Sequence, residues 1–268
     1  MALDELLLLS GNDIPFEEGC LVIHCPKIKE IAYVNEEPFF IGCRLLISSK
    51  NFLDTSGKNE LDALSNFDII MMIMKEKNKS LTLFKEDVKM VLALLFPTYT
   101  FSFEKEGIIF INIEDNSQIG FLNRENFDSF REIITQIFCL KEILGNEDDY
   151  NPAGAAAKRI ADKFKERHRR LAQMKNQNDK AHKISVFSRY MSILSIGLHI
   201  SFEELKEYTV YQLFDTFNRY ILFLQSDSYT KACLAGATKL KEPEDWMKDL
   251  YDKEEKIDKT VFTHGELR

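Results

Sequence analysis

The sequence is poor in residues that interrupt regular structure, since only 11 glycines and 6 prolines occur among 268 residues. This scarcity excludes the collagen-like and low-complexity classes. The longest apolar runs, Ile69–Met74 and Val91–Phe96, are far shorter than the roughly 20 residues of a membrane-spanning helix. A content of 45% hydrophobic and 29% charged residues is typical of a soluble globular protein that buries its own core.

The sequence also lacks the short motifs of common enzymes, because it contains no G-x-S-x-G, H-E-x-x-H or G-x-x-x-x-G-K-[ST] segment. The N-terminal MALDELLLLSG has acidic residues and only four consecutive leucines, so no signal peptide is predicted. The cysteines are five in number and scattered, which favours reduced thiols in a cytoplasm over a disulfide framework. We predict a non-enzymatic protein.

Four residues near the N-terminus are of types that bind metals: Cys20, His24, Cys25 and Cys43. A zinc site requires four such ligands to converge. Neighbours on one strand point to opposite faces, and cysteine is often buried in ordinary cores. Buried thiols are therefore favoured over a metal site.

Charge is unevenly distributed along the chain, whose net charge is −8. The segment from Lys158 to Lys183 has ten Lys and Arg against three acidic residues, a local net charge of +7. It predicts a basic contact surface formed by Lys158, Arg159, Lys163, Arg167, Arg169 and Arg170. A solvated or protein-contacting helix is favoured, and nucleic-acid binding through residues 158–170 is the alternative.

The first half of the chain predicts an α+β fold with a small antiparallel sheet. CLVIHCP predicts a strand that ends at Pro26, and EEPFFIGCRLLIS predicts a helix. Helical spacing predicts two core-facing stripes: Leu61, Leu64, Phe67, Met71 and Met74, then Phe84, Val88, Val91, Leu92 and Leu95. YTFSFEKEGIIFINI predicts a β-hairpin with a positive φ at Gly107, and QIGFL predicts a third strand. Asn123 is predicted to cap a helix bearing Phe127, Phe130, Ile134, Ile137 and Phe138.

The second half predicts helices. GNEDDYNPAG is typical of a boundary loop, and a long charged helix is expected after it. Further along the chain, GLHIS predicts a break between helices, and Ser201 with Glu204 predicts a capping box at the start of the next helix. The predicted organisation is an α+β domain at 1–145, a hinge loop and long basic helix at 146–183, a helical domain at 184–250 and a disordered tail at 251–268.

The segment YQLFDTFNRYILFLQSD has five aromatic residues and only three charged ones. These aromatics cannot all face one core from a single helix, so some are expected to pack inward and others to meet a neighbour. Trp246, the only tryptophan, is expected to staple the last helix or to anchor a partner. The candidate protein-interaction residues are Tyr211, Phe214, Phe217, Arg219, Tyr220, Phe223, Trp246 and Met247.

SRYMSILSIGLHISFEELKEYTVYQLFDTFNRYI, followed by LAGATKLKEPEDWMKDL, resembles bacteriophage tail proteins of the tail assembly chaperone type. The similar order is a serine-rich apolar helix with Gly197, an acidic helix, FNRY, Leu234-Ala235-Gly236 and a closing Trp246-Met247-Lys248. The N-terminal HCPKIKEIAYVNEEPFF also looks like phage proteins encoded among tail genes.

The resemblance covers about half of the chain and implies a phage tail morphogenesis protein in the infected bacterial cytoplasm. It implies binding of tape-measure or tail-tube subunits, with no cofactor and no membrane, and it leaves self-association open. The long α+β half and the basic helix depart from a small chaperone, which leaves a structural tail or baseplate role, and presence in the virion, as the alternative.

Overall fold

The computed structural model describes residues 3–17, 20–53, 64–75, 82–114, 116–140 and 185–238, together with 240, 242, 243 and 245. These residues form helices and two small antiparallel sheets, which confirms the predicted α+β class. The predicted boundary loop, basic helix and disordered tail lie outside the described residues, and the division into 1–145, 146–183, 184–250 and 251–268 stays a prediction. Within the described ranges, no helix is both long enough and apolar enough to cross a membrane.

The N-terminal elements are a capped helix and a short hairpin. Helix α1 spans Glu5–Ser10, where the Asp4 carboxylate accepts a hydrogen bond from the Leu6 N–H and Gly11 ends the helix with a φ of 66°. Strands β1, Ile14–Phe16, and β2, Leu21–Ile23, then pair antiparallel. Both strands bury alternate residues, as their apolar pattern requires, and the strand predicted before Pro26 is confirmed.

Four helices follow the hairpin: α2, Ile28–Val34; α3, Glu36–Leu53; α4, Asn66–Lys75; and α5, Thr82–Leu95. Helices α3 and α5 are in close contact at Gly42, where an added Cβ would lie 2.4 Å from the Asp87 carbonyl oxygen. The predicted α5 stripe is buried at Val88, Val91, Leu92 and Leu95, and its first member, Phe84, is half-buried. Helix α4 buries the predicted Phe67 and Met71 together with Ile69, Ile70 and Ile73, so its buried surface is wider than one stripe. Of the other predicted stripe residues, Leu64 precedes the helix, Met74 is half-buried and Leu61 lies outside the described residues.

The second sheet contains β3, Tyr99–Phe103; β4, Ile108–Asn112; and β5, Gln118–Leu122, in the order β3-β4-β5. The predicted hairpin and third strand are therefore confirmed. The expected role of Gly107 was wrong, because its φ is not positive. Glycine is required there for a different reason: a Cβ would lie 2.4 Å from the Leu122 carbonyl oxygen.

Helix α6 spans Phe127–Ile137 and buries the predicted face. Its N-cap is Asn126, whereas Asn123 had been predicted. The Asn123 side chain instead accepts hydrogen bonds from the Glu125 and Asn126 N–H groups, 2.8 and 3.1 Å away, and so stabilises the turn before the helix.

Three helices form the C-terminal part: α7, Val186–Leu198; α8, Phe202–Leu205; and α9, Val210–Leu234. The predicted break and the Ser201–Glu204 capping box are confirmed. The chain divides into two compact units, Met1–Phe214 and Asp215–Arg268, so α7, α8 and the start of α9 belong to the first unit.

Candidate interaction surface

The α7–α9 region is attached to the N-terminal elements by specific contacts within the first unit. The Glu36 carboxylate accepts a hydrogen bond of 2.8 Å from the Val186 N–H at the start of α7. The Glu207 carboxylate binds the ammonium groups of Lys27 and Lys29 at 3.0 and 2.7 Å. These contacts fix the positions of α7 and α8 against the N-terminal elements of the first unit.

The α7 helix buries little of its apolar surface. Phe187, which packs against Phe39 and Phe40, and Leu194 are its buried residues. Other apolar residues near its C-terminal end are exposed, with Ile196 at 79%. Helix α8 contacts α7 and adds Phe202, which is 55% exposed. We call the exposed residues Ile193, Ile196, Leu198 and Phe202 collectively the α7–α8 apolar patch. Ile193 and Ile196 share one face of α7, whereas Leu198, two positions after Ile196, lies toward another side of the helix end.

Charged residues of α8 lie beside this patch. Hydrogen bonds from the Ser201 N–H and hydroxyl to the Glu204 carboxylate lower the pKa of that carboxyl. Glu203 forms an ion pair with Lys206. An apolar surface with a charged rim is the usual composition of a protein–protein contact.

The aromatic residues predicted to contact a partner show graded exposure along α9. Tyr211 and Phe214 are buried, and the Phe214 ring packs edge-on against Tyr190, with centroids 4.9 Å apart. In the second unit Phe217, Arg219 and Tyr220 are half-buried, and Phe223 is 47% exposed. Of these aromatics, Phe223 is the most accessible to another protein.

Arg219 in the second unit forms an ion pair of 3.2 Å with Asp215, which is buried. Because this pair occupies its guanidinium, Arg219 is held along its own helix. Trp246, Met247 and the whole basic surface from Lys158 to Arg170 lie outside the described residues.

Sequence reasoning missed the α7–α8 apolar patch. The available signal was the composition of VFSRYMSILSIGL, which has one charged residue and is apolar on most of its circumference. A helix of that kind must be covered on several sides. The sequence does not show which apolar residues the rest of the chain leaves uncovered.

The metal-capable residues near the N-terminus have different surroundings. The His24 ring lies between two carboxylates, with Nδ1 2.8 Å from Asp13 and Nε2 3.1 Å from Glu30. Cys25 and Cys43 are buried, and Cys20 is exposed. In the part of the chain that the structure describes, no group of three or more His, Cys, Asp or Glu residues is arranged to hold a metal ion.

The five thiols should differ in reactivity. Burial raises the pKa of the Cys25 thiol to about 12, with a further increase from the Asp13 carboxylate, and burial also raises the pKa of Cys43. Because the thiolate is the reactive form, native alkylation should modify the exposed Cys20 and Cys233 and spare the buried Cys25, Cys43 and Cys139. Peptide mapping by mass spectrometry measures this pattern, and alkylation in denaturant is the control. Native labelling of Cys43 at the rate of Cys20 would contradict the packing of α3.

An open cleft of about 540 Å³ lies beside α4, with Phe67, Met71 and Met72 among its lining residues. At its rim Arg124 forms an ion pair with Asp68. Burial acts to raise the pKa of the Asp68 carboxyl, but hydrogen bonds from Ser65 and Arg124 outweigh it and lower that pKa. The cleft presents this carboxylate in an ion pair with Arg124.

Comparison with protein families matches residues 163–251 to a family model. The match is to the YomV second domain. Among the described residues this region contains α7, α8 and α9, so the α7–α8 apolar patch lies within the similarity to the YomV second domain. The family is phage-associated, and the match supports a phage protein. Searches of curated proteins and of solved structures found no match.

Proposed function

We propose that this chain is a non-enzymatic interaction protein of phage tail assembly that binds tape-measure or tail-tube subunits in the manner of a chaperone. The observation that carries the proposal is the α7–α8 apolar patch, which lies inside the region similar to a phage-associated domain. The site of action would be the cytoplasm of the infected bacterium. The resemblance of the C-terminal helices to tail assembly chaperones supports the choice of partner.

The physical argument begins with the cost of exposing apolar groups to water. A surface helix ordinarily faces solvent with charged and polar residues. Helix α7 has no charged residue after Arg189, and the side chains of Ile193, Ile196 and Leu198 are exposed to solvent. Covering such a surface with a partner removes it from water and stabilises a complex by about 25 cal/mol for each Å² buried. The exposure of Ile193 and Ile196 on one face of α7 therefore favours a role in protein binding.

The patch also suits a chaperone because its contacts are mostly non-directional. Aliphatic side chains such as Ile196 and Leu198 can contact an assembling subunit without requiring one fixed set of hydrogen bonds. The adjacent Glu203 side chain is 81% exposed and keeps the rim hydrated. A complex of this kind can form with an unassembled subunit and dissociate when that subunit meets its final neighbours.

Replacing Ile196 with Glu should weaken binding to the partner by about tenfold or more, because it places a charge in the middle of a desolvated contact. The experiment is co-expression of the chain with the tape-measure or tail-tube protein of the same phage, followed by affinity capture and titration of the purified complex. Leu83→Glu is the matched control, since Leu83 is 74% exposed on α5, away from the patch. Both variants should have the circular dichroism spectrum of the wild type.

The proposal fails if neither tail protein is captured by the wild type, or if Ile196→Glu and Leu83→Glu bind equally well. Analysis of purified virions separates the two tail roles. A chaperone is absent from the finished particle, whereas a tail or baseplate component is present at a fixed ratio to the tube protein.

A further inference from the structure

The two outer edges of the three-stranded sheet differ in how well they are protected against pairing with another strand. At the β5 edge the Asn126 side-chain amide donates a hydrogen bond of 2.8 Å to the Phe121 carbonyl oxygen. A register irregularity at Phe110 and Ile111 also interrupts the pairing of β4 with β5. Both features discourage the addition of another strand. Among the residues that the structure describes, the β3 edge carries neither feature.

The hydrogen bonds around the hairpin show which backbone groups of β3 face away from β4. The Glu104 N–H donates to the Gly107 carbonyl, and the Ile113 N–H donates to the Thr98 carbonyl. Because residues alternate along an antiparallel pair, Thr100 and Ser102 bond to β4. The N–H and C=O groups of Phe101 and Phe103, with the Tyr99 carbonyl, point to the open side. The Tyr99 N–H already donates to Phe96.

The chemistry of this edge gives no protection against pairing. The strand YTFSF contains no charged residue and no proline, the residues with which natural sheets block an open edge. Phe101 and Phe103 are in edge-on contact, with ring centroids 5.9 Å apart, and both are half-buried. Phe110, which pairs with Phe101, is fully buried. On this face of the sheet, the aromatic side chain of β4 is therefore fully covered, whereas those of β3 remain partly exposed to solvent.

We propose that β3 pairs antiparallel with β3 of a second copy of this chain, about a two-fold axis through Phe101. In this register each Phe101 N–H donates to the Phe101 carbonyl of the other copy. Each Phe103 N–H donates to the Tyr99 carbonyl of the other copy. All of these are groups that point to the open side, so the two sheets join into one sheet of six strands.

A second copy fits this edge because the types of side chain along β3 are arranged symmetrically about Phe101. Aromatic Tyr99 and Phe103 lie two residues on either side, and hydroxyl-bearing Thr100 and Ser102 lie one residue on either side. A two-fold axis therefore places aromatic opposite aromatic and hydroxyl opposite hydroxyl, which are favourable cross-strand pairs. Beyond the strand Glu104 meets Thr98, and Lys105 meets Pro97, so no like charges face each other.

The test uses the full chain in sedimentation velocity across a wide range of concentration. The wild type should form a dimer that dissociates on dilution, because a single pair of strands is a small interface. Phe101→Lys and Phe101→Glu should each be monomeric, since each places like charges opposite one another on the axis. An equimolar mixture of the two variants should recover the dimer through the opposite charges. Ile119→Lys, on the blocked β5 edge, is the control and should remain dimeric.

Hydrogen exchange on the wild type provides a second measurement that needs no substitution. The Phe101 and Phe103 amides should exchange slowly at dimer concentrations and become faster on dilution, while the Ile119 amide should not change. The proposal is wrong if the wild type is monomeric throughout. It is equally wrong if a dimer persists in folded Phe101→Lys, or if the Phe101 and Phe103 amides exchange at one rate at all concentrations.

Discussion

Replacing Phe96 with Ala should lower the free energy of unfolding by about 3–5 kcal/mol, a large part of the 5–15 kcal/mol typical of a folded domain. The Phe96 side chain is fully buried immediately after α5. Its ring lies 4.4 Å from that of Phe110 and 5.9 Å from that of Phe130, so it joins the sheet to α6. Alanine would leave a cavity between these elements. Urea denaturation followed by circular dichroism measures the loss.

The control for this prediction is Phe202→Ala, because Phe202 is exposed and the same atoms are removed without creating a cavity. Its cost should stay below about 1 kcal/mol. Equal losses for the two variants would show that Phe96 does not connect the sheet to α6.

Replacing Gly42 with Val should cost about 3 kcal/mol, at the upper end of the range for an overpacked site. A Cβ at position 42 would lie 2.4 Å from the Asp87 carbonyl oxygen and 2.7 Å from a Val91 methyl group. The first contact is with the α5 backbone, which cannot move aside as a side chain can. Helices α3 and α5 would have to separate, and their shared core would lose contact. Thermal and denaturant unfolding should both detect the change.

Two further variants separate the free-energy cost of the clash with α5 from the effect of the new residue's helix propensity. Gly42→Ala adds the same Cβ but gains about 1 kcal/mol of helix propensity, so it should be less harmful than valine. Met72→Val introduces valine at an exposed site on α4 and should cost less than about 1 kcal/mol. A Gly42→Val variant that unfolds with the wild type would show that α3 and α5 are not in close contact at this point.

Much of the fold could be predicted because its signals are local. Val88, Val91, Leu92 and Leu95 recur at helical spacing until Pro97, and the structure buries all four. The hairpin was predictable because Phe101 and Phe103 alternate with polar residues before a short polar turn at Gly107. The Ser201–Glu204 capping box depends on residues only three positions apart. In each case the residues that decide the structure are neighbours in sequence.

The features that could not be predicted depend on tertiary contacts, which local sequence patterns do not reveal. Gly107 is required because β5 approaches it, and only the folded sheet brings Leu122 there. The exposure of Ile196 depends on which face of α7 the first unit covers. Sequence reasoning therefore concentrated on the aromatic residues of α9, of which Tyr211 and Phe214 are buried, and overlooked the aliphatic surface of α7.

The contacts between the N-terminal elements and residues near position 210 determine when folding can finish. The Gln212 side chain donates to the Leu9 carbonyl, and Glu207 binds Lys29, at separations of 203 and 178 residues. During translation at roughly 5–20 residues per second, the ribosome needs about 10–40 s to reach Gln212 after it has made Leu9. Throughout that interval the nascent chain lacks the segment that completes its first unit. Co-translational folding of this protein should consequently end with a late, long-range closure step, and ribosome-bound fragments that stop before residue 205 should remain sensitive to protease.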